Sequence, residues 1–394
     1  MKYHNDIPQV EKCDVVVGIP SFNNATTIAH VARTAAEGIK KLGLKGLIVN
    51  SDGGSTDGTV EAFLASDTFE VPKFSLRYRG IPGKGSAVRA LFETAHKARA
   101  KVFIMLDSDL RSVEPWWIER MARPILEDRT DYVTPLYLRH KYDGTITNNV
   151  CYPLTSALYG VKVRQPIGGD FAVGSKLIEV FLSKPEKVWQ SNVARFGIDI
   201  WMTTTAINES KKLPVQAALG AKVHDVKDPG KQLQGMFVQV VQTLFELMIE
   251  YQDRWKNVND LIDTEIYGEQ PAQRVEEIVV DLKNLKEKAS KTLRERMPVR
   301  ASLRRELLES ILKNGTLDVE QWVETVYEFA LAYKRERSEE IVLDLLPFYF
   351  ARVADFVEKT KDMDSVEAEK LIESQLQLFI RLKEPFKRRW FVDT

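Results

Sequence analysis

The chain has 394 residues, 44% hydrophobic and 28% charged, with Lys+Arg and Asp+Glu both at 56. That composition excludes intrinsic disorder, and the balanced charge excludes a global field drawing the protein to nucleic acid or an anionic membrane, so any anion must be held by local groups. Two cysteines, Cys13 and Cys151, exclude a disulfide framework and fit no zinc spacing. The opening MKYHNDIPQVEKCD lacks the apolar run of a signal peptide, and no uncharged apolar stretch of about 18 residues occurs, so the expectation is a soluble, cytoplasmic protein.

The length suggests two units: residues 1–229 as an α/β domain and residues 230–394 as a helical one. In the first, short runs of β-branched or aromatic residues at Asp14–Ile19, Gly46–Asn50, Phe74–Tyr78, Val102–Leu106 and Asp131–Pro135 read as strands. Amphipathic segments at Thr27–Leu42, Asp57–Ala65, Gly85–Ala100 and Pro115–Glu127 read as helices between them. That alternation implies a mostly parallel, Rossmann-like sheet covered by helices. Beyond Pro229, Met236, Phe237, Val240, Val241, Leu244, Phe245 and Met248 recur at helical spacing. Further helices are expected at Ala272–Met297, Ser302–Lys313, Val319–Arg335, Glu339–Lys359 and Ser365–Trp390, with Pro347 kinking or interrupting the fourth of these. Their apolar stripes read as core, and a homodimer through this region is the accompanying hypothesis.

Four strand-to-helix junctions carry the chemistry. In VVVGIPSFNNATTI, Pro20 ends the strand and Ser21, Asn23 and Asn24 supply turn and cap oxygens. In VNSDGGSTDGT, Asp52 stands at the carboxyl end of a strand, where open α/β sheets bind ligands, and can accept hydrogen bonds from a base or ribose while Gly53 and Gly54 allow close approach. A glycine turn capped by aspartate reads the same way. In RGIPGKGSAVRAL, Lys84 can reach a phosphate at the start of a helix whose N–H groups favour an anion; the spacing is not that of a P-loop. In VFIMLDSDLRS, an apolar strand delivers Asp107 and Asp109 into one crevice. Two carboxylates so close repel unless a cation intervenes, and a hard divalent ion such as Mg²⁺ or Mn²⁺, sharing the substrate's phosphates, suits them.

The order of these junctions resembles the nucleotide-sugar domain of family 2-like, A-fold glycosyltransferases over about residues 13–226. The segments QPIGGDFAVGS, FGIDIWMTT and AKVHDVKDP resemble glucosyl-3-phosphoglycerate synthases and the related glucosylglycerate and mannosylglycerate synthases. The resemblance implies a retaining transfer of a sugar, glucose first, from a UDP or GDP donor to 3-phosphoglycerate or D-glycerate. It implies that Pro20, Phe22, Asn24, Asp52, Lys84 and Ser108 hold the nucleotide, with Asp107 on its ribose or the sugar. It implies Asp109 and His224 as metal ligands, Gly168 and Gly169 as backbone donors to sugar or acceptor, Asp170 on sugar hydroxyls, and Asp199 near the reacting centre. Asp170 departs from the family's glutamate and is shorter by one methylene. The alternative is that Gly168 and Gly169 merely make a turn and that Asp199 caps a helix.

The segment YLRHKYDGTITNN offers Arg139, His140, Lys141, Thr145 and Thr147 as donors to an anionic acceptor, with Arg139 first and Thr145 and Thr147 beside it; a solvated basic turn is the alternative. A nucleotidyltransferase would carry its Gly-rich loop after the first strand, where PSFNNAT stands instead. A polyprenol-phosphate glycosyltransferase would carry a membrane anchor. A nucleotide-sugar-binding regulator would lose the metal pair, whereas Asp109 and His224 are both present.

Overall fold

The computed structural model describes residues 5–223, 232–298 and 301–392. The first half alternates as the sequence pattern requires: β1 (Val15–Ser21), α1 (Ile28–Lys41), β2 (Gly46–Asp52), α2 (Thr59–Ala65), β3 (Lys73–Arg77), α3 (Lys84–Lys97), β4 (Val102–Met105), α4 (Pro115–Leu126) and β5 (Tyr132–Leu138). There follow α5 (Tyr152–Tyr159), β6 (Val161–Lys162), β7 (Phe171–Gly174), α6 (Ser175–Ser183), α7 (Glu186–Trp189), α8 (Ile198–Glu209) and β8 (Val215–Ala221). The remainder is α9 (Gln232–Glu250), α10 (Gln252–Trp255), β9 (Ile262–Asp263), β10 (Ile266–Tyr267), α11 (Leu282–Glu295), α12 (Arg305–Asn314), α13 (Val319–Glu336), α14 (Glu339–Thr360) and α15 (Ser365–Val392).

Eight strands form one sheet in the order β10-β8-β5-β7-β4-β1-β2-β3. All pairings are parallel except those of β7, which lies antiparallel between β4 and β5. Every residue of β1, β2 and β4 is buried, which is why these strands read as continuous rather than alternating apolar runs. Val15, Val17, Ile19 and Ile104 pack there with Val31 and Ala35 of α1 and Trp117 and Met121 of α4 in one core cluster.

Pro20 does not end β1 but lies inside it, opposite Ser51. Pairing with β4 stops at Gly18, so Pro20 is missing no ladder donor on that side.

The chain divides into two compact units, but not linearly at residue 229. The α/β unit comprises Met1–Leu138, Val163–Asp228 and Asp263–Val275; the helical unit comprises Arg139–Lys162, Pro229–Ile262 and Glu276–Thr394. The helix expected from Ala272 begins only at Leu282. The preceding segment is committed to the sheet instead: Ile266 pairs beside Gln216, the Gln270 side chain accepts from Gly220 N and that of Gln273 from Ala221 N. These tertiary bonds override a helical pattern that the β-branched run Ile278–Val280 already weakens.

In the helical unit, side chains of Asp281, Asp318 and Ser338 cap α11, α13 and α14. Pro347 does not interrupt α14, which continues to Thr360 because buried residues on both sides of the proline hold it in packed surroundings. Among the described residues, no helix is long and apolar enough to cross a membrane.

Candidate active site

The ends of β1 and β2 build one wall of the crevice. Asp52 Oδ1 accepts from Ser21 Oγ (2.9 Å) and Ser55 Oγ (2.6 Å), and Oδ2 from the backbone N–H groups of Gly54 (2.7 Å) and Ser55 (2.8 Å). Asp52 thus uses its lone-pair positions to fold its own loop, and a nucleoside donor reaches it only by displacing a serine hydroxyl. Asn24 Oδ1 accepts from Phe22 N and from Ser108 Oγ (2.8 Å), tying the first junction to the fourth. It does not cap α1, whose N-cap, Thr27, makes no side-chain cap bond and instead donates to Ser108 O. Phe22 is 63% exposed and flanks Gly53, an aromatic face beside this wall.

The centre follows from the topology. Because β7 runs antiparallel to β4 with Met105 opposite Phe171, the residues just past β4 meet those just before β7. Asp107 N donates to Asp170 Oδ1 at 2.7 Å. Parallel β5 and β8 then bring up Tyr137 and Lys222: Tyr137 Oη donates to Asp170 Oδ2 at 2.5 Å, and Lys222 Nζ donates to Asp170 Oδ2 (2.8 Å), Asp107 Oδ2 (3.0 Å) and Gly168 O (2.9 Å). From the other side, Lys84 Nζ lies 2.9 Å from Asp107 Oδ1 and 3.3 Å from Asp199 Oδ1, and donates to Gly169 O.

Asp107, Asp170, Asp199, Lys84, Gly168 and Gly169 are therefore assembled in one cluster. Gly169 has φ +94, and a Cβ there would stand 2.2 Å from Asp107 Oδ2, so the turn requires glycine. A Cβ on Gly168 would meet Pro135 Cγ at 2.2 Å. Asp199, in the first turn of α8, makes no cap; it faces Lys84.

Burial pushes the Asp170 and Asp199 carboxyls up, against the pull of Lys222 on the first and Lys84 on the second, while the Asp107 charge adds to the rise in both. Burial opposes the Lys84 ammonium too, but Asp107 and Asp199 outweigh it and hold that group well above the ordinary lysine range.

At the start of α3 two N–H groups are already taken, Gly85 N donating to Arg195 O and Gly83 N to Tyr78 Oη. The repulsion expected between Asp107 and Asp109 is met by lysines, since each oxygen of Asp107 faces an ammonium group. Lys222 and Tyr137 were not singled out in the sequence. Their signal was available in part: Lys222 directly follows the apolar run Val215–Ala221, the placement that drew attention to Asp52 and Asp107.

Asp109 is 6% exposed. His224 lies outside the described residues, and among those described no group of three or more His, Cys, Asp and Glu side chains converges as a metal site. Asp107, Asp170 and Asp199 outnumber Lys84 and Lys222, Asp109 adds an oxygen donor nearby in sequence, and Mg²⁺ commonly takes one or two carboxylates plus substrate phosphates.

The acceptor candidates lie in the helical unit. Arg139 Nε stands 3.7 Å from Asp143 Oδ2, and Thr145 Oγ1 is hydrogen-bonded to Tyr349 Oη. Thr147 is buried in a π-helix (Thr147–Cys151). Lys141 is committed elsewhere, donating to the carbonyls of Thr360, Lys361 and Met363 at the end of α14.

The mostly parallel sheet thus carries an acidic pair past β4 and a glycine turn facing it. Residues 16–173 match the glycosyl transferase family 2 family, so this part of the chain has the family 2 glycosyltransferase fold. Among solved structures the chain is similar to glucosyl-3-phosphoglycerate synthase from Mycobacterium tuberculosis in complex with Mg²⁺ and uridine diphosphate, at 25% identity over 60% of this chain and 79% of that one, with a TM-score of 0.47. It is similar also to that enzyme with Mn²⁺, UDP-glucose and phosphoglyceric acid (23%, 60% and 79%, TM-score 0.46) and with Mn²⁺, UDP-glucose and glycerol 3-phosphate (24%, 60% and 80%, TM-score 0.46). No curated protein matches the chain in sequence.

Proposed function

We propose that the protein is a retaining hexosyltransferase that moves glucose from a nucleoside diphosphate donor, UDP- or GDP-glucose, to a small anionic acceptor, 3-phosphoglycerate or D-glycerate. The observation that carries this reading is the cluster of Asp107, Asp170 and Asp199 with Lys84 and Lys222 around the Gly168-Gly169 turn, at the carboxyl ends of the strands. A buried set fixed by ion pairs and hydrogen bonds in this way needs little rearrangement as charge develops.

In this reading Phe22 offers a face for the base, and the Asp52 loop and Asn24 shape the nucleoside wall. Asp109 and His224 hold a divalent cation, which stabilises the charge on the departing diphosphate when bound. Lys84, on the same crevice, is the chain's own positive group for the phosphates. Asp170 and Asp199 accept from sugar hydroxyls, with Asp170 fixed by Tyr137 and Lys222. Among the described residues the arrangement supplies no evident nucleophile, in keeping with a front-side transfer in which the departing phosphate helps deprotonate the acceptor hydroxyl. Arg139, Thr145 and Thr147 serve the acceptor anion.

Nucleoside diphosphate release from UDP-glucose and GDP-glucose with Mg²⁺ or Mn²⁺ tests the reading against D-glycerate, 3-phosphoglycerate and no acceptor. Acceptor-dependent release is expected; no release with any combination refutes it.

A further inference from the structure

The segment read as acceptor-binding is built into the helical unit by an unusual backbone. Thr147–Cys151 forms a five-residue π-helix, a rare conformation that recurs at functional sites, closed by Tyr152 N donating to Thr147 O. Its carbonyls are taken by side chains from distant helices. Trp322 Nε1 of α13 donates to Asn149 O at 2.8 Å, and Gln375 Nε2 of α15 donates to Asn148 O at 2.8 Å. The Gln375 amide is itself oriented, because its Oε1 accepts from Arg352 Nε (3.0 Å), and Arg352 Nη1 donates to Asp355 Oδ2 (2.7 Å). All four of these side chains are buried.

One turn earlier, Tyr349 of α14 pairs through its hydroxyl with Thr145 Oγ1 at 2.6 Å. At the start of the segment Lys141 closes the end of α14. Gly144, at φ +66, lets the Arg139 guanidinium lie against its backbone, where a Cβ would come within 2.9 Å of Nη1. Arg139 and Thr145 thus occupy a stretch whose course is set by α13, α14 and α15.

We infer that Tyr349, Trp322 and Gln375 are positioning residues for acceptor binding, and that the helical unit serves as the scaffold of the acceptor segment. The inference rests on the reading of Arg139 and Thr145 as acceptor-binding. A buried network in which each member is satisfied fixes one geometry, and loss of one hydrogen bond within it displaces the groups it orients.

The test is steady-state kinetics of the full chain with Tyr349→Phe, which keeps the ring and removes the hydroxyl. The expected result is an acceptor KM raised about fivefold, the factor for one ordinary hydrogen bond, with the donor KM and acceptor-independent nucleoside diphosphate release within about twofold of the parent. Thr145→Val breaks the same bond and also removes a hydroxyl that the acceptor reading uses, so it should raise the acceptor KM at least as much, and Thr145→Ser should restore it. Arg139→Gln serves as the separate control on the acceptor reading. If Arg139→Gln raises the acceptor KM while Tyr349→Phe leaves it unchanged, the positioning role is wrong and the acceptor reading stands. If Arg139→Gln has no effect either, the acceptor reading fails and this inference falls with it. Equal changes in donor and acceptor KM for Tyr349→Phe also overturn it, because they mark general loosening.

Discussion

Lys222 and Asp170 form an ion pair of 2.8 Å in which the carboxylate is fully buried and the lysine side chain is 4% exposed. Such a pair is costly to desolvate, and its value lies in what it holds: Lys222 also bonds Asp107 and Gly168 O, so one ammonium group ties β8, the turn before β7 and the end of β4.

Removing the lysine alone leaves buried carboxylates unpaired. Lys222→Met should lower unfolding free energy by about 3–5 kcal/mol in urea melts and abolish donor turnover. Lys222→Met combined with Asp170→Asn should lose less stability than Lys222→Met alone, because the double change removes the stranded charge. Equal losses would show that the pair is not the reason.

Asp109→Asn should lower metal-dependent nucleoside diphosphate release by about 100-fold or more, with the thermal midpoint and far-UV circular dichroism of the parent retained. Full activity in that variant would remove Asp109 from the cation site.

Gly169→Ala places a methyl group against Asp107 and Lys222 at a positive φ. It should cost about 1–3 kcal/mol of stability and weaken nucleotide binding measured by calorimetry. A neutral result would mean that the turn moves freely.

The helical unit contains a pH-sensitive group. Lys383 Nζ donates to the carbonyls of Ala157, Leu158 and Val258. Burial, then the nearby Lys387 charge, push it down to about 8, with Glu384 opposing. In the unfolded chain the group titrates near about 10.4. Between these values the unfolded state binds the extra proton, so this lysine's contribution to stability rises with pH across about 8 to 10.4. Denaturation of the parent and of Lys383→Met should therefore show the parent gaining on the variant as pH increases through that window; a constant difference would contradict it.

β1, β2, β4 and β5 were legible because each is a largely buried run with β-branched residues, as in VVVGIPS and GLIVNSD, whereas β3, KFSLR, is mostly half-buried and has only its aromatic and apolar positions to mark it. β7 was not, since four residues, FAVG, carry no period, and its antiparallel insertion is a tertiary choice. That missed strand is what brings Asp170 to Asp107, so sequence identified both residues while their contact remained hidden. Lys222 escaped notice because its segment drew attention to His224. The membership of Arg139–Lys162 in the helical unit was also out of reach, because hydrogen bonds such as Trp322 to Asn149 join residues far apart in sequence.

Mass spectrometry of the acceptor after incubation with UDP-glucose or GDP-glucose and Mg²⁺ or Mn²⁺ tests the transfer most directly. The account predicts 3-phosphoglycerate or D-glycerate made heavier by one hexosyl unit, with the product absent when Asp109→Asn replaces the parent. Donor consumption with free glucose as the sole product, for every acceptor offered, would contradict it.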